Sequence, residues 1–130
     1  MPTGLLIIDI QNDYFPGGRM ELVGPETAAD NAAALLAAAR NAHAPVFHVQ
    51  HVSTHPGATF FLPGTEGTVI NPRVAPLPDE AVIVKHFPNV LRETDLAERL
   101  RAAGVTRLII AGMMSHMCVD TSVRALFDAG

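Results

Sequence analysis

Three residues of this chain combine types and positions suited to nucleophilic chemistry: an acid, Asp9, an amine, Lys85, and the single cysteine, Cys118. Each has an ordinary explanation when taken alone. Asp9 can cap a turn, Lys85 can be a solvated strand end, and a lone cysteine is more often packed than reactive. Their contexts argue otherwise. Asp9 ends the apolar run Leu5-Leu6-Ile7-Ile8, Lys85 ends Val82-Ile83-Val84, and Cys118 follows Leu108-Ile109-Ile110-Ala111 and Gly112. Short apolar runs without alternation suit strands buried on both faces, as in parallel sheets. Parallel strands bring their carboxyl ends to one rim, where ligands bind. An acid, an amine and a thiol are therefore expected on one edge. Cys118 is expected to open a helix, whose positive dipole end stabilises a thiolate, and the Lys85 ammonium adds to that effect. Asp9 can take the thiol proton and return it to a leaving group. Amide groups at the same helix start can hold an oxyanion. The combination predicts acyl transfer with no histidine in the base role.

The elements that must position these groups can be read between them. A fourth strand is expected over Pro45–Val52, with Pro45 tolerated at its start. The alanine-rich stretch from Pro25 to about Ala42 predicts a helix, with Pro25 in its first turn. Asp95 followed by Glu98 signals a helix start and Gly104 a stop. A third helix is expected from about Cys118 to Asp128. The stretch from Ser53 to Glu80 is rich in proline and glycine and reads as a long irregular loop, the kind that is usually functional. Strands alternating with helices predict an α/β fold, a three-layer α/β/α sandwich around a parallel sheet.

The chain has 130 residues, 48% hydrophobic and 17% charged, which suits one globular domain and excludes a disordered chain. A formal net charge of −4 leaves no basic surplus for a phosphate backbone, so no nucleic-acid partner is expected. One cysteine excludes an internal disulfide framework and a cysteine-rich zinc site. No run approaches the roughly 20 apolar residues of a membrane span, and Asp9 interrupts the first run too early for a signal peptide. A cytoplasmic protein without membrane contact is expected.

Leu5-Leu6-Ile7-Ile8-Asp9-Ile10-Gln11-Asn12-Asp13-Tyr14-Phe15 resembles the opening motif of the isochorismatase-like cysteine hydrolases. Val84-Lys85-His86-Phe87-Pro88-Asn89 is similar to their lysine motif. The segment Ala111-Gly112-Met113-Met114-Ser115-His116-Met117-Cys118-Val119-Asp120-Thr121-Ser122-Val123-Arg124-Ala125 resembles their nucleophile motif. The three blocks stand in family order and span most of the chain. The resemblance implies a doubly wound, Rossmann-like sheet and a catalytic triad of Asp9, Lys85 and Cys118. It also implies a non-proline cis peptide at Met113–Met114 and an oxyanion hole of the Met114 and Cys118 amides. Gln11, Phe15, His51, Phe87 and His116 are expected around the substrate pocket, Gln11 by orienting backbone.

Nicotinamidase-type members carry a metal site written D-x-H plus a further histidine. In the corresponding segment His51 and His55 are present and the aspartate is absent, and His48 and His51 would face opposite sides of a strand. No metal and no cofactor are expected. Members that cleave a vinyl ether often lack the cysteine, so Cys118 favours C–N hydrolysis of a small amide, imide or carbamoyl substrate through a thioester. The alternatives are vinyl ether hydrolysis and a non-catalytic or truncated relative acting as an oligomer-forming scaffold. Family members usually continue into further strands, so residues 1–130 read as one domain that is short at its C-terminus. With the usual strand order, Arg107–Ala111 would then be an edge that invites pairing. Either the chain is a fragment or a homo-oligomer contact covers that edge. Phosphotransfer and dinucleotide-binding readings fit less well: Gln11 stands where a second aspartate is needed, and no Gly-x-Gly-x-x-Gly follows the first strand.

Overall fold

The apolar runs become four parallel strands. A computed structural model describes residues 3–113, with β1 at Thr3–Ile8, β2 at Val46–His51, β3 at Ala81–Lys85 and β4 at Arg107–Gly112. The strand order is β3-β2-β1-β4. Leu6 lies beside Phe47 on one side and Ile110 on the other, and His51 lies beside Lys85. β1 is therefore central, which explains why its residues Leu5 to Ile8 are apolar without alternation and fully buried.

Among the described residues, two helices cover the two faces of the sheet. The first, α1, spans Pro25–Asn41 with proline in its first turn, where the missing N–H costs no intrahelical bond. It packs Ala29, Ala32 and Leu36 against Leu5 and Ile7. The second, α2, spans Leu96–Ala102. It packs Leu96 with Leu6, Ile8, Phe47, Val49 and Ile83 on the opposite face. Each buried leucine, isoleucine, valine or phenylalanine side chain among these contributes about 1.5–3 kcal/mol. The result is the α/β/α layering expected of the sequence. Asp95 precedes α2 without capping it, because its Oδ2 instead accepts from Arg99 Nε at 2.9 Å. The helix expected over Cys118–Asp128 lies outside the described residues.

The segment from Ser53 to Glu80 contains no strand but is held in place. Single 3-10 turns form at Glu66–Thr68 and Pro72–Val74, and a third follows β1 at Asn12–Tyr14. Gln11 and Ile70 form an antiparallel bridge. Asn12 N donates to Val69 O at 3.0 Å and Asn71 N to Ile10 O at 2.8 Å. These bonds lay the loop over the carboxyl end of β1. Close approach also fixes β4, since a Cβ on Gly112 would overlap the Ile8 carbonyl. No helix among the described residues is long and apolar enough to cross a membrane.

Candidate active site

Asp9, His51, Lys85 and Gly112 end or follow the four strands at one rim. Asp9 leaves β1 with φ of 58°, a left-handed conformation that aspartate tolerates better than most residues. Its carboxylate Oδ2 lies 2.9 Å from Lys85 Nζ, and both side chains are 0% exposed. A buried ion pair of this kind costs several kcal/mol of desolvation per ion, and close geometry must offset that cost. Lys85 Nζ also lies 2.8 Å from His51 Nδ1. Register explains the contact, because His51 and Lys85 are paired across β2 and β3.

Gln11 fixes His51 from the other side. Its Nε2 donates to the carbonyls of His51 and Thr68, both at 2.8 Å, and its Oε1 accepts from His51 N at 2.8 Å. The Gln11 amide thus completes the hydrogen bonding at the end of β2 and ties the long loop to it. Burial lowers the pKa of His51, and the neighbouring charges of Lys85, His86 and His55 lower it further, to about 4.

Beside this cluster lies a cavity of about 290 Å³ with a mainly aromatic wall. Tyr14, His51, Phe60, Phe61, His86 and Phe87 line it. The rings of Tyr14 and Phe61 meet edge-on at 4.8 Å, and the Phe60 and Phe61 rings lie 5.0 Å apart. Phe61 has φ of 54°, a strained conformation for a bulky residue. Asp13 holds it there. Asp13 is buried, accepts from Phe61 N at 2.6 Å and accepts from Arg19 N at 3.1 Å. Gly67 lies against the same carboxylate, and a Cβ there would overlap it.

Of the residues singled out in the sequence, the structure brings Asp9, Gln11, His51 and Lys85 into one contact network, with Phe87 in the adjoining cavity. Phe15 is placed elsewhere: it is buried in the α1-side core, with the Arg73 guanidinium 5.7 Å above its ring, and lines a separate cavity with Asn12 and Asn71. Met114, His116, Cys118 and the Met113–Met114 peptide lie outside the described residues. His48 and His51 diverge. His48 Nε2 lies 2.9 Å from Glu80 Oε1, and Arg40 binds both oxygens of the same carboxylate at 2.7 and 2.8 Å. Burial lowers the pKa of His48. The Arg40 hydrogen bonds draw Glu80 down to about 2 against the opposing effect of burial. Among the described residues, no group of three or more His, Cys, Asp or Glu side chains is placed to hold a metal ion.

Sequence reasoning missed Asp13 as the residue that shapes the aromatic wall, the joint role of Phe60 and Phe61 in that wall, and the contact of His51 with Lys85. The last was within reach, because two predicted strands with Lys85 and His51 at their ends place them side by side if the strands are neighbours.

The isochorismatase domain model matches residues 3–130. The chain belongs to the isochorismatase family. It is 55% identical over its whole length to the isochorismatase family protein YddQ of Bacillus subtilis, of which it covers 72%. It is 38% identical to a streptothricin hydrolase of Streptomyces noursei, aligning 97% of itself with 45% of that protein. A maleamate amidohydrolase of Pseudomonas putida is 29% identical over 91% of the chain and 62% of its own length. The crystal structure of an isochorismatase from Pseudomonas putida KT2440 superposes with a TM-score of 0.90 at 39% identity, covering 99% of this chain and 65% of that one. The chain thus spans between about half and three quarters of the length of these relatives, and the α/β fold is theirs.

Proposed function

We propose that this domain is a cysteine-dependent hydrolase that cleaves the C–N bond of a small amide, imide or carbamoyl compound. One observation carries the reading: the fully buried Asp9–Lys85 ion pair at the rim of a parallel sheet, beside an aromatic cavity. Folding does not require such a pair, since well-packed apolar residues of similar volume are often as stable or more so. An acid fixed against an ammonium is useful where a proton must move and a developing negative charge must be stabilised. Likeness to a streptothricin hydrolase and a maleamate amidohydrolase supports hydrolysis.

In this reading Asp9 takes the proton of Cys118, and Sγ attacks the substrate carbonyl carbon. The Lys85 ammonium and the Met114 and Cys118 amides stabilise the negative charge. The C–N bond breaks as Asp9 delivers its proton to the leaving nitrogen, and a thioester remains. Water then adds to the thioester, giving a proton to Asp9. The C–S bond breaks, a carboxylic acid leaves, and the proton returns to Cys118. The test is release of ammonia or amine from a panel of neutral amides, ureas and imides. Turnover that Cys118→Ala abolishes is the expected result. Turnover unaffected by Cys118→Ala would overturn the cysteine mechanism.

A further inference from the structure

We infer that His51 is a positioning residue for Lys85: a neutral, fixed-tautomer acceptor that holds the ammonium in place without cancelling its charge. The inference deepens the proposed function and rests on it for its catalytic meaning, but its structural half can be read independently.

The geometry leaves little choice of roles. An ammonium has only donors, so at 2.8 Å the lone pair must sit on His51 Nδ1. The ring is then neutral, with its proton on Nε2. The surroundings favour that state. Lys85 on β3, His86 just beyond it and His55 in the loop all disfavour a charged imidazole, as does burial, while the Asp9 carboxylate is engaged with Lys85. The residue is held at its backbone by two Gln11 bonds, and its ring packs against Phe61, tilted by 45° with the centroids 5.7 Å apart.

The choice of histidine has a physical consequence. Lys85 is a flexible four-carbon chain ending in a compact charge. Asp9 alone fixes one direction of that ammonium, and His51 fixes a second. A second carboxylate would position it equally well but would neutralise its field. A neutral imidazole orients the cation and leaves its charge to act on a thiolate or an oxyanion. The Nε2–H, on the ring that lines the aromatic cavity, becomes a donor of fixed identity.

Long-range proton–nitrogen NMR on the whole chain reads the tautomer directly. The expected result is His51 protonated on Nε2 only, and still neutral at pH 5, where a free histidine is largely charged. An Nδ1–H tautomer, or a cationic ring at pH 5, would overturn the inference without touching the proposed function. The second arm is the pH profile of Cys118 alkylation by iodoacetamide. His51→Asn, whose amide oxygen can replace Nδ1, should keep the wild-type profile. His51→Leu should slow labelling below pH 7 by about tenfold, approaching the Lys85→Met profile. If Lys85→Met shifts the profile and His51→Leu does not, the inference fails and the proposed function stands. If neither shifts it, the proposed function fails as well, whatever the tautomer.

Discussion

Asp9 and Lys85 were legible in the sequence because both end apolar runs, and runs of that kind make parallel strands. Their mutual contact was not legible, because it depends on the left-handed backbone at Asp9 and on which strands are neighbours. Removing the Asp9 carboxylate takes the counter-charge from a buried ammonium. Asp9→Ala is therefore expected to cost about 3–5 kcal/mol in urea unfolding. The double substitution Asp9→Leu with Lys85→Met should recover most of that loss and remain inactive. A stability change under 1 kcal/mol for Asp9→Ala would show that the pair is solvated in solution. For the reaction, Asp9→Asn and Cys118→Ser should each remove most turnover, and near-wild-type kcat in either would contradict the roles assigned to them.

The strands and α1 followed from local pattern, since apolar runs and a proline-led alanine-rich stretch leave few alternatives. The start of α2 shows the limit. Asp95 matches a cap signal, yet its carboxylate turns to Arg99, a pair in which both side chains are largely exposed. Such pairs contribute little, so Asp95→Ala should change stability by no more than about 0.5 kcal/mol, measured by urea titration. The long loop was recognisable as irregular from its prolines and glycines, but its path was not, because long-range bonds such as Asn12 to Val69 set it. Gly67 marks the tightest point. Gly67→Ala should displace the Asp13 carboxylate and release Phe61 N–H, costing about 1–3 kcal/mol and speeding limited proteolysis between residues 53 and 80. Unchanged proteolysis would mean that Asp13 does not hold the aromatic wall.

For the whole molecule, three shifted groups shape how stability responds to acid: His51 and His48, both lowered first by burial, and Glu80, lowered first by its Arg40 hydrogen bonds. His51 is drawn from its ordinary 6.5 to about 4, so between those values the unfolded chain binds more protons and stability falls as pH falls. Glu80 is drawn from 4.5 to about 2, so the stability it contributes is present above 4.5 and is lost between 4.5 and 2. Two successive declines are expected in chemical unfolding below pH 6.5. Glu80→Gln should shrink the lower one and His51→Asn the upper one, to which His48 adds with the same sign; a flat response from pH 7 to pH 5 would contradict the His51 assignment. The α/β layering could be foreseen from the order of elements, whereas the His48–Glu80–Arg40 network could not, because it joins β2, the loop before β3 and α1 through side chains with no sequence spacing in common. In the proposed mechanism, three segments far apart in the chain assemble one nucleophilic site. The most direct measurement is the rate of Cys118 alkylation by iodoacetamide against pH, on folded protein, with Asp9→Asn and Lys85→Ala alongside. The chain has one cysteine, so the signal has one source. An ordinary thiol titrates near 8.5. Rapid labelling well below that pH, altered by both substitutions, is the predicted result. Labelling that follows an ordinary thiol and ignores both substitutions would contradict the account.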